Sequence, residues 1–461
     1  MTHTNKAPQK QADIRVLGKI DGFFKQYKVA SILHQCGIRK HRGHSVTSLI
    51  RTIFTLPFLG KNFFRGIVIN DELPFGKDAA YEVLKRPKSN WRRLVLHLAV
   101  QLYGFFNRLT NEDRESVLIV DDSTYDRSRS KAVELLARVW DHSNGRFIRG
   151  FRMLTFCWSD GASCLPLDFA LLSSTDVKQR FCESAKTVDK RCCSWQRRKE
   201  ATLKATEHLE TMLTRILSAG IQAKYLLMDS WFTMPSTVTA LSKHIHIIGM
   251  VKKSPKVLYD VDGQRMHLMA IYRNLKKRRG RAKTLAGTVV RLKGGLPVKL
   301  IFVRDRRKKD WLPLISTDLN LAGDEIIRIY GKRWDIEVFF KMSKQHLRLT
   351  KEIQCRDFDA LIAHTSIVFM RYMFLAYQHR IETDSRTFGE LFYACCDELA
   401  DISFMESLYR ILNLAGERIK RMGSLCERTI IAIFNTVMQA ALQCVGLSKS
   451  KVLLLQLNPE S

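Results

Sequence analysis

The stretch VLIVDDST (Val117–Thr124) decides the fold class that this chain is expected to adopt. Four aliphatic residues in a row predict a buried strand, and two aspartates follow it directly. A second stretch, YLLMDSWF (Tyr225–Phe232), repeats the pattern with a single aspartate. Because α/β sheets place their functional sites at the C-terminal ends of strands, we predict an α/β fold with Asp121 and Asp229 exposed at one sheet edge.

Further strands are predicted on both sides of these two. FIRGFRMLTFCWS (147–159) and SCLPLDFALLS (163–173) are separated by Asp160-Gly161, which is a strong hairpin signal. A helix is predicted over 200–218, and HIIGMV (246–251) is predicted to be the next strand. From Lys252 to about Asp310, short β-like segments alternate with basic clusters. They predict a β-rich insertion.

Helical patterns flank this central region. Apolar residues recur at helical spacing between Asn90 and Leu109. The predicted domains are a helical N-terminal domain (1–115), a central α/β domain (116–375) with its insertion at about 252–318, and a helical C-terminal region (376–461). The most apolar segment, HTSIVFMRYMFLAY (364–377), is interrupted by Arg371 and too short to span a bilayer. It predicts a buried helix.

The charge of the chain favours a polyanionic partner. Lys and Arg total 76 against 45 Asp and Glu, which gives a formal net charge of +31. A hydrophobic fraction of 46% indicates a folded protein rather than a disordered basic tail. A ribosomal protein, or a merely solubilised basic protein, is the alternative. The 11 cysteines include no CxxC pair, which argues against a zinc ribbon. The N-terminus lacks a secretion signal, so a cytoplasmic location is expected.

A third carboxylate is needed, because a lone aspartate after a strand is more often a turn or helix cap. One long helix is predicted from about Asp324 to His346. On it Tyr330, Arg333, Glu337 and Lys344 are spaced by three, four and seven residues and share one face. The opposite face carries the apolar residues Ile327, Trp334, Val338 and Met342. An amphipathic surface helix with incidental charges is the alternative.

Together these segments resemble the DDE transposases of bacterial insertion sequences, specifically the cut-and-paste family marked by Y-(2)-R-(3)-E-(6)-K. Tyr330, Arg333, Glu337 and Lys344 satisfy that signature at every spacing. LIVDDST resembles the family's first aspartate segment and YLLMDSWF its second. WLPLISTDLNLAGDEIIRIYGKRWDIEVFFK resembles the family's third conserved segment, which contains the glutamate. The resemblance covers about half of the chain, from Val117 to about Leu349.

The resemblance implies a ribonuclease H-like core of three antiparallel strands followed by helix, strand, helix and strand. A β insertion would precede the glutamate helix. Asp121, Asp229 and Glu337 would bind two Mg²⁺ ions, for which Mn²⁺ can substitute. The implied function is binding of the element's terminal inverted repeats in double-stranded DNA, metal-dependent cleavage, and strand transfer into target DNA. A homodimer on DNA, association with the nucleoid and no membrane contact are expected.

Several residues are expected to contact DNA on the same basis. Tyr330, Arg333 and Lys344 would bind phosphates. Trp311 would stack on a base flipped out of the duplex end, although packing within a strand is the alternative. The basic stretches Lys178–Lys204 and Lys276–Lys283 either contact phosphates or form solvated loops. In the second stretch, the candidate phosphate-binding residues are Lys276, Lys277, Arg278 and Arg279. His142 is expected to serve a loop rather than a metal.

Two choices remain open from the residues alone. Asp121 is preferred over Asp122 as the first metal ligand because it directly ends VLIV, and successive strand side chains point to opposite faces. Asp122 would then cap a turn or helix. The alternatives to a transposase are a catalytically inactive DNA-binding derivative and a ribonuclease H-like nuclease that cuts DNA without joining it.

Overall fold

The computed structural model describes residues 16–381 except 41, 70–72, 74, 110–113, 142–143, 185–187, 281 and 306–309. It also describes 390, 392, 415, 419 and 427–444. The expectation for His142 and most of the expected C-terminal region therefore lie outside the described residues.

Five α-helices precede the sheet among the described residues. They are α1 (Val16–Gln26), α2 (Val29–Gln35), α3 (Val46–Thr55), α4 (Lys77–Leu84) and α5 (Trp91–Arg108). Side-chain caps fix two of their starts, because Ser45 Oγ accepts a hydrogen bond from Ser48 N and Asn90 Oδ1 accepts one from Arg93 N. The buried faces of these helices belong to the same hydrophobic core as the sheet. The helices therefore stabilise the central fold directly.

The sheet contains eleven strands among the described residues. Its order is β2-β3-β1-β5-β6-β11-β10-β9-β7-β8, with β4 paired to β3. The strands are β1 (Val117–Asp126), β2 (Ala137–Asp141), β3 (Arg146–Ser159), β4 (Cys164–Leu172), β5 (Tyr225–Met228), β6 (His246–Met250), β7 (Leu258–Val261), β8 (Gln264–His267), β9 (Thr284–Arg291), β10 (Pro297–Asp305) and β11 (Asp310–Ser316). The fold is thus mixed α/β, as predicted.

Parallel pairing at the centre of the sheet brings two aspartates to neighbouring positions. β1 is parallel to β5, with Val120 opposite Met228, and β5 is parallel to β6. Asp121 and Asp229 are each the next residue after that last pair. β1 itself continues to Asp126 because it remains paired with the antiparallel strand β3, so it is longer than the VLIV segment suggests.

The remaining helices correct two predictions. They are α6 (Cys193–Ala201), α7 (Ala205–Ser218), α8 (Pro235–Leu241), α9 (Leu268–Asn274), α10 (Gly323–Gly331), α11 (Trp334–Gln345), α12 (Phe358–Ile381) and α13 (Glu427–Cys444). The helix predicted over 200–218 is interrupted after Ala201. The long helix predicted from about 324 to 346 is interrupted between Gly331 and Trp334. Glycine favours such a break because it is a poor residue for a helix interior.

The expected β-rich insertion extends the main sheet. Its last strand, β11, pairs antiparallel with β6, and β10 and β9 follow in turn. The strands of the insertion are therefore hydrogen-bonded into the same sheet that carries the two aspartates.

The apolar segment around Arg371 forms α12, a helix that is buried over nearly its whole length. By length and composition alone it could cross a membrane, but its apolar stretch is wholly enclosed by the rest of the protein. Arg371 pairs with Glu352 and donates hydrogen bonds to the carbonyl oxygens of Phe54 (2.9 Å) and Leu347 (3.2 Å). One buried guanidinium thus joins α3, α12 and the chain after α11.

We predict that Glu352→Gln destabilises the protein by about 3–5 kcal/mol, because it leaves Arg371 buried without its counter-charge. Chemical denaturation would measure this loss. Glu325→Gln, which breaks a partly exposed pair with Arg328, should cost at most ~1 kcal/mol. Equal effects of the two variants would contradict the prediction.

The contribution of Glu352 to the stability of the protein should also depend on pH. Burial alone would raise the pKa of Glu352, but Arg371 and His364 lower it to about 2. The native carboxylate therefore stabilises the fold fully above its unfolded pKa of about 4.3 and loses that contribution as the pH falls toward 2. Wild-type protein should lose stability in this interval more steeply than Glu352→Gln.

Candidate active site

Asp121 lies just beyond the parallel part of β1 and is almost inaccessible to solvent. Its Oδ2 accepts a hydrogen bond from Arg333 Nη1 at 2.7 Å, and its Oδ1 accepts one from the backbone N–H of Asp122 at 2.8 Å. Burial raises the pKa of Asp121 to about 7. Arg333 opposes that rise, whereas the nearby charges of Asp229 and Glu337 add to it. The three carboxylates therefore lie within electrostatic reach of one another.

Asp229 and Glu337 are held in different ways. Asp229 Oδ1 accepts hydrogen bonds from the backbone N–H groups of Trp231 (2.9 Å) and Phe232 (3.1 Å), so the turn after β5 fixes its side chain. Glu337 lies on α11 and is more exposed than Asp121, and its Oε1 is 3.4 Å from both Nη atoms of Arg333. Arg333 thus contacts Asp121 and Glu337 together.

The break between α10 and α11 does not separate the signature residues. Tyr330 lies in α10 and Arg333 precedes α11, with Arg333 N donating to Tyr330 O at 3.0 Å. Burial raises the pKa of Tyr330, whose phenol lies near Arg333 and both aspartates, so it remains a hydrogen-bond donor. Lys344 Nζ donates to Ser123 Oγ at 2.7 Å, two residues beyond Asp121 on the same face of β1.

The predicted apolar face of this helix is wrong in part. Trp334 is 66% exposed and Val338 is exposed, whereas Met342 is buried. The break changes the helical phase, and α11 packs instead through residues such as Phe339, whose ring lies 4.9 Å from Phe369 and 4.8 Å from Tyr372 of α12. The buried face of α11 is thereby turned toward α12, and Glu337 is left at the sheet edge.

Asp122 has a different environment from Asp121. It lies within β1, not at the terminus of a turn or helix as expected, and it forms an ion pair with Arg152 of β3. The partner could not be found from local sequence, because the antiparallel register of β1 and β3 brings the two residues together. The metal-binding role of Asp121 itself stays a prediction.

Trp311 is enclosed by neighbouring side chains of the insertion. It is 6% exposed and packs against Tyr272 at 4.7 Å and Phe302 at 5.0 Å between ring centroids. Lys253 Nζ lies 4.0 Å from the centroid of the indole ring. This environment corresponds to the alternative of packing within a strand, and a ring so enclosed cannot stack on a base in this conformation.

The two basic stretches differ. Lys276, Lys277, Arg278 and Arg279 are all exposed in the loop between α9 and β9. In the other stretch, Arg197 and Arg198 are buried in α6, where both pair with Asp359. Arg198 also pairs with Glu134. These two arginines therefore stabilise the core and are not available to phosphates.

The donor set of the site suits a divalent metal, because carboxylate oxygens are the ligands that Mg²⁺ and Mn²⁺ prefer. Among the described residues, however, no three acidic, histidine or cysteine side chains are arranged as a ready coordination site. Arg333 supplies the positive charge between Asp121 and Glu337 in this conformation. The chemistry of the residues fits the metal, and Arg333 would have to release the carboxylates.

Two protein-family models match parts of the chain. A model described as DDE superfamily endonuclease matches residues 66–284, and a model described as Transposase DDE domain matches residues 197–374. These matches support a DDE-type transposase or endonuclease. The first spans Asp121 and Asp229, and the second spans Asp229 and Glu337. Such families act on DNA and generally depend on divalent metals.

Other comparisons add little. No curated protein matches the chain. A crystal structure of the C-terminal lobe of a budding yeast Argonaute is 10% identical over 85% of this chain and 81% of that chain. Its TM-score of 0.20 is too low to support a conclusion about the fold.

We predict that Arg333→Gln destabilises the metal-free protein by roughly 1–3 kcal/mol at pH 8, because the three carboxylates lose their counter-charge. The loss should be smaller at pH 5. Since the pKa of Asp121 is raised to about 7, this carboxyl is mostly protonated there and needs no cation. Denaturant titrations at both pH values test this.

Arg328→Gln serves as the control, because Arg328 lies on the neighbouring helix α10 and its side chain is 48% exposed. It should have a small effect at both pH values. A loss for Arg333→Gln that is as large at pH 5 as at pH 8 would exclude carboxylate repulsion as the cause.

Proposed function

We propose that this protein is a cut-and-paste transposase of a bacterial insertion sequence. It would bind the terminal inverted repeats of its element, cleave DNA in a metal-dependent reaction and transfer the freed ends to target DNA. The observation that best supports this proposal is the position of Arg333 between Asp121 and Glu337, at the edge where Asp229 also lies. This is the arrangement of residues that the Y-(2)-R-(3)-E-(6)-K signature implies.

The topology supports a ribonuclease H-like core. β4, β3 and β1 form three successive antiparallel strands, and β5 and β6 continue parallel to β1. Helices α6 and α7 lie between β4 and β5 in the chain, and α8 lies between β5 and β6. The insertion then returns through β11 to the helix that carries Glu337. Apart from the short strand β2 and a second helix before β5, this is the chain order expected for the proposed core.

In the proposed reaction Asp121, Asp229 and Glu337 would hold two Mg²⁺ ions. When bound, Mg²⁺ supplies Lewis acidity to the attacking and leaving oxygens of an in-line displacement at phosphorus. The turn after β5 keeps Asp229 oriented, and the rigid pairing of β1 keeps Asp121 beside it. Glu337 is more exposed than Asp121 and therefore has more freedom to adjust.

The cationic and phenolic groups would position the DNA. Arg333 can present two parallel N–H donors to a phosphate, while Lys344 acts as a compact charge beside Ser123. Tyr330 keeps its proton and can donate a third hydrogen bond. A phosphate that binds Arg333 would compete for the guanidinium with Asp121 and Glu337, so DNA binding would free the carboxylates for cations.

The exposed loop 276–279 would contact the DNA backbone farther from the cut. Its four cations lie in the insertion, whose strands continue the central sheet. The proposed homodimer on DNA has its basis in the family resemblance alone, because most of the C-terminal region lies outside the described residues.

We predict that Asp121→Asn and Glu337→Gln each abolish Mg²⁺-dependent cleavage while leaving DNA binding nearly intact. Each change removes one anionic ligand and no phosphate-binding cation. The assay would use a duplex containing the DNA that flanks the gene, and it would score both cut ends and joined products. If the wild-type protein cleaves DNA without forming joined products, it is a nuclease. If it binds DNA without cleaving it, it is an inactive derivative.

Asp122→Asn is the matched control for Asp121→Asn. It should retain cleavage and lose at most ~1 kcal/mol of stability, because its partly buried pair with Arg152 contributes modestly. An active Asp121→Asn with an inactive Asp122→Asn would show that the first ligand is the next residue along.

Replacing Lys276, Lys277, Arg278 and Arg279 by Gln should weaken binding to any duplex to a similar extent. Each phosphate contact that is lost should reduce the slope of log affinity against log salt by ~0.9. Binding titrations at several salt concentrations measure the slope. Lys243→Gln, an exposed change after α8, should leave it unchanged, and an unaltered slope in the fourfold variant would remove this loop from the interface.

A further inference from the structure

A cleft with a volume of about 530 Å³ is lined in part by Trp231, which belongs to the turn that holds Asp229. It lies between β2, β3 and the segments that follow β4 and β5. Its size falls within the ~300–1,000 Å³ typical of ligand pockets. The side chains that define its character are Trp140, Trp231, Arg138, Arg152 and Lys204.

The lining combines exposed aromatic rings with positive charge. Trp140 is 40% exposed and Trp231 is 46% exposed, which is unusual for residues with so much apolar surface. Arg152 lies 5.2 Å from the centroid of the Trp231 ring. No Asp or Glu is among the described residues that line the cleft. Indole faces beside cations are the surface that binds bases and phosphates of unpaired nucleic acid.

Two contacts join the cleft to the carboxylates. The backbone N–H of Trp231 donates to Asp229 Oδ1 at 2.9 Å, and Arg152 pairs with Asp122, the neighbour of Asp121. The rim is also fixed on its far side, where the Trp140 and Phe147 rings pack edge to face at 4.8 Å. A ligand in the cleft would therefore lie next to the position of the scissile phosphate.

We propose that this cleft binds a single-stranded segment of the DNA substrate, with bases stacked on Trp231 and Trp140 and the backbone near Arg138 and Lys204. A duplex does not fit this chemistry, because its base faces are hidden in the stack and only base edges and phosphates are accessible. The proposal rests on the proposed function, since the occupant is a strand freed or distorted at the cut.

The test compares variants of the full-length protein in binding a labelled oligothymidylate and a blunt hairpin duplex. Trp231→Ala and Trp140→Ala should each lower affinity for the single strand by about fivefold or more, which is the loss expected when one stacking platform is removed. Affinity for the duplex should not change. Trp231→Phe should retain most of the single-strand affinity, because a smaller ring still stacks. Unchanged melting temperatures would show that the variants fold.

Photo-crosslinking gives an independent readout. An oligonucleotide containing 5-iodouracil should crosslink to Trp231 or Trp140, as identified by mass spectrometry of the labelled peptide. Crosslinks confined to other surfaces, or equal single-strand affinity for wild type and both alanine variants, would overturn the inference. If the wild type still cuts duplex DNA in Mg²⁺, the proposed function survives that outcome. A wild type that neither binds nor cuts DNA would instead refute the proposed function.

Discussion

Three carboxylates gathered at one edge of a sheet are the constraint on which the rest of the structure depends. Their mutual repulsion, together with burial of Asp121, makes the charged state costly. The strand register brings Asp121 and Asp229 to adjacent positions. Glu337 is contributed by α11. Arg333 offsets the cost by contacting Asp121 and Glu337 together. Arg333 itself lies in the break between α10 and α11.

Such a site requires a rigid support, which α12 supplies. Phe339 of α11 packs edge to face against Phe369 and Tyr372, while Arg371 binds the chain on either side of the helix. The same helix also contacts the N-terminal helices through the common core. Loss of the buried contacts of Arg371 should therefore shift α11 and, with it, the side chain of Glu337. The buried guanidinium of Arg371 thus stabilises the helix against which α11 packs.

The sequence predicts those features of the fold and the candidate site that local patterns determine. The aliphatic runs before Asp121 and Asp229, the Asp160-Gly161 hairpin and the spaced signature residues all depend on neighbours within a few positions. The break in the glutamate helix and the ion pair of Asp122 with Arg152 could not be predicted, because packing and strand register decide them. Arg197 and Arg198 show the same limit, since charge in a sequence does not reveal whether a partner buries it. The exposed pair Trp140 and Trp231 is likewise brought together only by the folded chain.

The distribution of charge explains how a strongly basic protein can have an acidic centre. Several arginines are neutralised in the core, as Arg92 is by Asp168, so they add nothing to the field that a ligand meets. Unburied cations such as those of loop 276–279 attract a polyanion, but its phosphates are repelled as they approach the three carboxylates. Arg333 and Lys344 lie close to these carboxylates. Arg333 donates a hydrogen bond to Asp121, and Lys344 donates one to Ser123 of β1. In the proposed function, these two cations would reduce the repulsion between the carboxylates and an arriving phosphate.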